Sequence, residues 1–548
     1  MRAAVRALVS ARHTRLNRGL LRFVIVAAAE EADPTTATPR DETRPGPDTA
    51  PEPLAAHEQR QLTALRRFGT TGSLILAAGA FGAGANPVIN PLSGTRLLGL
   101  LTRMPTVAMA ACWLGMLMIV AAWLWMGRLC LPGRTRMLDP RELARTLAMW
   151  AIPLALCPPL FSTDMYSYLA QSEVAARGFD PYLVSPAVAL GVDHPFTSNV
   201  PNIWRDTPSP YGPLFLMFGQ LVSRLIGDNV VFGVLVWRAI MLCALAAAIW
   251  AIPKLARRCG VHPTAALWLG VANPIVLFHV VSGMHNEALM LGIMLPAIEL
   301  GLRYRNTTGT LAAGALLTIA GAIKPPGWIA LGFFGICVVL ARGGRWRDLL
   351  RVGALLLAVF LATMTVITVG SGWGLGWIDT FDVPNRVKTV MAPLTAFGMA
   401  GGGLSTLLGL GNTMDAMLSI TKIIGYVLVA AVCLWMLWIS FRRRIHPLAA
   451  MGVTFLTLAL AVPVLWPWYL LWSVVPLALA TNNRRFRVTA MLICAATSLV
   501  IPPTGAGFVL RAYQIPLAVI AAIIAFAITL VLVRGRMPSL GLARPSTQ

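Results

Sequence analysis

The residues best suited to chemistry are gathered in Phe161-Ser162-Thr163-Asp164-Met165-Tyr166-Ser167-Tyr168. The stretch continues through Gly178-Phe179-Asp180-Pro181-Tyr182 to Ser209-Pro210-Tyr211-Gly212-Pro213. An apolar segment long enough to cross a bilayer precedes it, yet Asp164, Glu173, Arg177 and Asp180 follow in quick succession. Hydrocarbon cannot solvate such a cluster, so it must sit at or beyond the membrane surface. A carboxylate at the mouth of a span suits a general base that withdraws a proton from a sugar hydroxyl. The neighbouring rings of Tyr166, Tyr168 and Tyr211 suit stacking on sugar faces or anchoring at the interface. The spacing is equally that of a helix N-terminus, with Thr163 or Asp164 as the cap of a helix running through Tyr168 and Gln171. Glu173 and Asp180 are weaker candidates for the same site.

Other polar groups fall at the ends of apolar segments. His285-Asn286-Glu287 forms a tight turn whose donors could reach a phosphate or a sugar, or whose Asn286 and Glu287 cap the next helix. Lys324-Pro325-Pro326 ends a span where a lysine can pair with a lipid phosphate or snorkel to the interface. In the segment from Ser371 to Gly403, read as a loop, Arg386 and Lys388 are close enough to grip a phosphate. Trp466-Pro467-Trp468-Tyr469 supplies either sugar-facing rings or an aromatic girdle. The 8 cysteines are scattered without metal-ligand spacing, and one histidine beside one acid is too little for a metal site. No metal ligands are therefore assigned, and no cofactor is required, although the acids leave room for a divalent cation.

These groups need a membrane scaffold to position them. Hydrophobic residues make up 57% of the 548 and charged residues only 12%, against roughly 25% charged in soluble domains. The net charge of +23 does not imply nucleic acid, because the basic residues fall mostly between apolar segments rather than on a solvated face. A span of about 20 residues and the positive-inside rule predict an all-α polytopic membrane protein with about fourteen transmembrane helices, near 70–88, 105–127, 145–162, 229–252, 264–282, 287–302, 309–324, 327–341, 352–371, 417–440, 447–465, 469–481, 487–503 and 514–533. With the N-terminus inside, Arg128 to Arg141, Lys254 to Arg258, Arg342 to Arg351, Arg442 to Arg444 and Arg484 to Arg487 all fall on the cytoplasmic side. Most acids beyond residue 143 fall on the opposite side, which places the chemistry there. Residues 211–226 are too short and polar to cross, so 163–228 reads as one long external loop with a half-buried helix. Residues 1–69 read as a basic, disordered cytoplasmic tail, 70–535 as the transmembrane domain and 536–548 as a short cytoplasmic tail.

Taken together, the Asp164-Met-Tyr-Ser-Tyr run, Arg177-Gly-Phe-Asp-Pro-Tyr, Ser209-Pro-Tyr-Gly-Pro-Leu, His285-Asn-Glu-Ala-Leu-Met, Lys324-Pro-Pro and Trp466-Pro-Trp-Tyr resemble the GT-C glycosyltransferases. The closest likeness is to the actinobacterial polyprenol-phosphate-mannose-dependent alpha-(1,6)-mannosyltransferases of the MptB type, over about residues 65–535. The resemblance implies a GT-C fold in which 163–228 is the first catalytic loop, Asp164 is the general base and Lys324 lies near the lipid-phosphate leaving group. It implies a polyprenyl-phosphate-mannose donor and a mannosylated glycolipid acceptor. The implied setting is the plasma membrane, with an extracytoplasmic site that elongates the alpha-(1,6)-mannan core of lipomannan and lipoarabinomannan. The family has Asp where this chain has Glu287. The reading from another class is a transporter or flippase of a lipid-linked sugar. It would favour ionisable residues at mid-span and repeat symmetry between halves, whereas here the ionisable residues cluster at span ends.

Overall fold

The computed structural model describes residues 52–379, 383, 388–505 and 513–533. Among them the protein is helical, with one isolated bridge between Glu52 and Arg136. The chain opens with α1 (Ala56–Ala83), α2 (Pro105–Cys130) and α3 (Pro140–Leu156). Helix α1 begins well before the expected start at residue 70. Leu62, Leu65 and Phe68 recur at helical spacing and are buried, while Arg66 pairs with Glu142 of α3 and Arg134 with Glu58. Small residues let α1 and α2 approach closely, since a Cβ on Gly79 would lie 2.6 Å from the Ala108 carbonyl oxygen.

Between α3 and the next long helix lie α4 (Asp164–Ala176), α5 (Pro213–Ile226) and several short turns. Helix α5 is the half-buried helix expected from its sequence. Phe215, Leu216, Val222 and Ile226 face inward, and Leu221 and Leu225 are exposed. The remainder comprises α6 (Val230–Arg258), α7 (Pro263–Gly270), α8 (Glu287–Arg303), α9 (Thr307–Ile323), α10 (Ile329–Ala341), α11 (Trp346–Ser371), α12 (Pro393–Leu407), α13 (Met414–Phe441), α14 (Pro447–Ala461), α15 (Leu470–Ala480), α16 (Arg484–Thr497) and α17 (Gln514–Val533).

Among the described residues five helices, α2, α6, α11, α13 and α17, are long and apolar enough to cross a membrane, or six spans if a bent pair is counted as one. Leu361, Val366, Val427, Leu434, Ile523 and Val531 are exposed on them, as suits surfaces facing lipid rather than water. The protein is therefore an all-α membrane protein. Several other expected spans coincide with apolar helices of 10–17 residues.

Two expectations are corrected. The span expected at 264–282 is not continuous, because α7 stops at Gly270 and a π-helical turn, Val276–Ser282, follows. Asn273-Pro274 causes the break. Proline lacks an amide, and the Asn273 side chain accepts the Ile275 amide while donating to the Leu269 carbonyl. The turn and α8 meet at 105°, which brings His285 to the corner. Likewise 371–403 is not all loop, because Gly401-Gly402-Gly403 lies within α12. There Gly402 packs on α13, and a Cβ would fall 2.7 Å from Met414 Cα.

Candidate functional site

Asp164 is the first residue of α4, and its carboxylate does not cap that helix. The N-cap Thr163 makes no side-chain bond either, and the Asp164 amide is taken by Ser162 Oγ at 3.0 Å. The carboxylate instead meets Nδ1 of His285 at 3.3 Å. The imidazole is buried, and the Asp164 side chain keeps 37% exposure, so the carboxylate remains partly accessible. Burial pushes the Asp164 carboxyl up. The hydrogen bond and charge of His285, the Ser162 hydroxyl and the Lys324 ammonium outweigh this and hold it below its usual value.

Asn286 and Glu287 open α8 without a side-chain cap. Lys324, at the end of α9, donates to Asn286 Oδ1 at 2.9 Å and pairs with Glu287, whose side chain is fully buried. An ammonium has three N–H donors, so this leaves one for another acceptor. The lysine also lies 5.1 Å from the ring centroid of Tyr469 and 5.8 Å from that of Trp472, within cation–π range.

Aromatic residues wall this polar core. His285 stacks on Trp468 at 3.6 Å, Trp468 on Trp466 at 5.2 Å, and Tyr469 on Trp472 at 4.3 Å. Tyr168 accepts the Asn286 amide at 3.3 Å and stands edge-on to Tyr211 at 5.0 Å. Burial, and then the Asp164 charge, raise both tyrosine hydroxyls, which favours their protonated form. Tyr211 and Trp466 are half-buried.

The other predicted residues lie elsewhere. Tyr166, buried, donates to the Ala85 carbonyl at 2.5 Å, on the side of α4 turned away from Asp164. Glu173 binds Arg177 at 2.8 Å and Ser223 at 2.6 Å, fastening α4 to α5. Asp180 accepts the Tyr182 amide in a local turn at 2.8 Å. Lys388 pairs with Asp415 at 3.0 Å rather than with the Asp164 cluster. Arg386 lies outside the described residues. Among those described, the one trio spaced to hold a metal is Glu173, His194 and Asp228, and the Arg177 guanidinium already stands 2.7 Å from His194 Nε2.

Some contributors were not picked out from the sequence. His279 fills the space behind the site against Phe161 and Trp468, with neither ring nitrogen partnered. Trp237 backs Tyr168 and stacks on Phe215 at 5.0 Å. A polar residue within an apolar run was the available signal for His279. Trp237 gave none, since aromatic residues are ordinary in such helices.

A family model described as alpha-(1→6)-mannopyranosyltransferase, N-terminal domain, matches residues 66–341, and one described as MptB C-terminal domain matches residues 394–531. The chain is 39% identical over 511 residues to a probable alpha-(1→6)-mannopyranosyltransferase of Mycolicibacterium smegmatis, covering 89% of this chain and 91% of the relative. It is 38% identical over 534 residues to an alpha-(1→6)-mannopyranosyltransferase of Mycobacterium tuberculosis, covering 89% and 90%. Identity to alpha-(1→6)-mannopyranosyltransferase B of Corynebacterium glutamicum is 36% over 479 residues, covering 84% and 80%. No solved structure matches the chain.

Proposed function

The chain belongs to the alpha-(1→6)-mannopyranosyltransferase family and is a glycosyltransferase, and from that premise we propose that it transfers mannose from polyprenyl-phosphate-mannose to a mannosylated glycolipid. The product is the alpha-(1→6)-mannan core of lipomannan and lipoarabinomannan, made at the extracytoplasmic face of the plasma membrane. The fold in this reading is GT-C, with about fourteen spans. One observation carries the proposal: Asp164, His285 and Lys324, from three separate parts of the sequence, converge with Tyr168, Trp468 and Tyr469.

Asp164 is the base. Its depressed basicity keeps it ionised, its exposed face can receive the acceptor 6-hydroxyl, and His285 fixes its orientation. The acceptor oxygen attacks C1 of the donor mannose as its proton passes to Asp164. The C1–O bond to phosphate breaks with its electron pair leaving on polyprenyl phosphate. A beta-linked donor gives an alpha product by this single inversion. Lys324, held by Asn286 and Glu287, directs its third N–H at the departing phosphate and offsets the charge that develops there. Among the protein's partners are thus a lipid-borne donor, a lipid-borne acceptor and the membrane itself.

The test is incubation of purified protein with labelled polyprenyl-phosphate-mannose and a mannosyl lipid, followed by linkage analysis. The proposal expects a new alpha-(1→6) mannosidic bond. Transfer only from a nucleotide sugar, or a product of different linkage, contradicts it.

A further inference from the structure

We infer that Arg238 of α6 is a positioning residue that holds the two chain segments delivering Asp164 and His285 at their working separation. The inference rests on the proposed pairing of those residues and deepens it.

Arg238 lies within an otherwise apolar stretch of α6 and is only 3% exposed. An ionised side chain in such surroundings is costly unless polar groups solvate it. Its partners are carbonyl oxygens. Nη1 donates to Cys157 at 2.6 Å and Ala155 at 3.0 Å, and Nη2 donates to Ser282 at 3.4 Å. The titratable side chains beside it are Cys157 and Tyr166, neither of them a carboxylate.

The identity of those carbonyls gives the role. Ala155 and Cys157 end α3, and Ser282 ends the π-helical turn. Terminal carbonyls lack intrahelical partners and carry the negative end of the helix dipole, so two such ends brought together repel. A planar guanidinium between them satisfies both at once through its fork of donors, which a single ammonium cannot reproduce. The Leu160 amide also donates to the Ser282 carbonyl at 3.4 Å, closing the junction. From there one segment runs through Phe161 (φ 67°) to Asp164, and the other through Met284 (φ 55°) to His285. Phe161 is pinned by its amide to the Pro503 carbonyl at 2.8 Å, and the His285 amide is bound to the His279 carbonyl at 3.1 Å. Each path is therefore short and tied down, so the distance between the carboxylate and the imidazole follows from the junction that Arg238 holds.

The experiment uses full-length Arg238→Lys and Arg238→Met proteins beside wild type and Asp164→Asn, assayed with labelled polyprenyl-phosphate-mannose and a mannosyl lipid over a range of pH. Loss of the fork is expected to lower kcat by about 10²-fold, the scale of a small misplacement of reacting groups, with little change in donor KM. The acid limb of the kcat/KM profile should move to higher pH as the carboxylate loses its imidazole. Lysine, which keeps the charge, should restore part of the rate. If methionine prevents accumulation in membranes, the lysine variant is read on the same axes. Wild-type kcat, or a lowered kcat with an unmoved acid limb, overturns the role of Arg238. An inactive Asp164→Asn beside wild-type-like Arg238 variants removes this inference alone, whereas an active Asp164→Asn removes the base assignment on which it rests.

Discussion

The Asp164 carboxylate stands 3.3 Å from Nδ1 of His285, and each residue is reached through a bulky side chain held in the left-handed backbone region, Phe161 before one and Met284 before the other. That conformation costs on the order of 1–3 kcal/mol per residue and persists only where the surrounding structure over-determines it. Two such residues flanking one contact show that the surrounding structure holds it in place.

The pair has a readable titration. The Asp164 carboxyl is held below its usual value in the folded protein, so the stabilisation it provides is present above its unfolded value and is lost as pH falls through the lower folded value. His285→Gln removes a major opposing influence and leaves burial acting against Ser162 and Lys324 alone. The acid limb of kcat/KM is therefore expected to move to higher pH, with kcat also reduced. A profile that keeps the wild-type limb contradicts the contact.

Lys324 is paired with a fully buried Glu287, so removing one partner strands the other. Breaking such a pair costs about 3–5 kcal/mol. Lys324→Met is accordingly expected to lose thermal stability in detergent as well as activity, and Lys324→Met with Glu287→Gln to recover stability but not the wild-type rate. In the stable double variant, the KM for polyprenyl-phosphate-mannose should rise more than that for the acceptor, and kcat should fall. Unchanged donor kinetics in a folded double variant would remove Lys324 from the leaving-group side.

Helix α8 carries Glu287 past α6 at a point where a Cβ on Gly292 would fall 2.3 Å from the Ala244 carbonyl oxygen. Gly292→Ala must push the two helices apart. Overpacking of this kind costs about 1–3 kcal/mol, which a lower unfolding temperature of the purified protein would register. An unchanged midpoint would mean that this approach is looser than the geometry indicates.

What could be read from the sequence follows from what lipid forbids. Asp164, His285 and Lys324 stood out because ionisable residues at the ends of apolar segments need a reason, and the structure brings these three together. Direction was harder to read. Tyr166 lies two residues beyond Asp164, which on a helix turns it to the opposite side, into the Ala85 carbonyl. Glu173 was judged by its charge, but its partners Arg177 and Ser223 are fixed by the packing of α4 on α5. Gly401 to Gly403 suggested a loop because glycine disfavours helix interiors, yet they lie within α12, where the missing side chain of Gly402 lets the helix lie against α13. Arg238 lies inside the span expected at 229–252, an exception to the clustering of ionisable residues at span ends, and it was passed over. The helix ends it joins are far apart in sequence, so only the packed bundle reveals the junction.

The central claim is that Asp164 takes the acceptor proton, and the most direct measurement is turnover of labelled polyprenyl-phosphate-mannose by purified Asp164→Asn protein with the wild-type unfolding temperature. Positioned general bases contribute about 10²–10⁴-fold, so kcat is expected to fall by that factor while the donor still binds. A folded Asp164→Asn enzyme that forms the alpha-(1→6) bond at the wild-type rate contradicts the account.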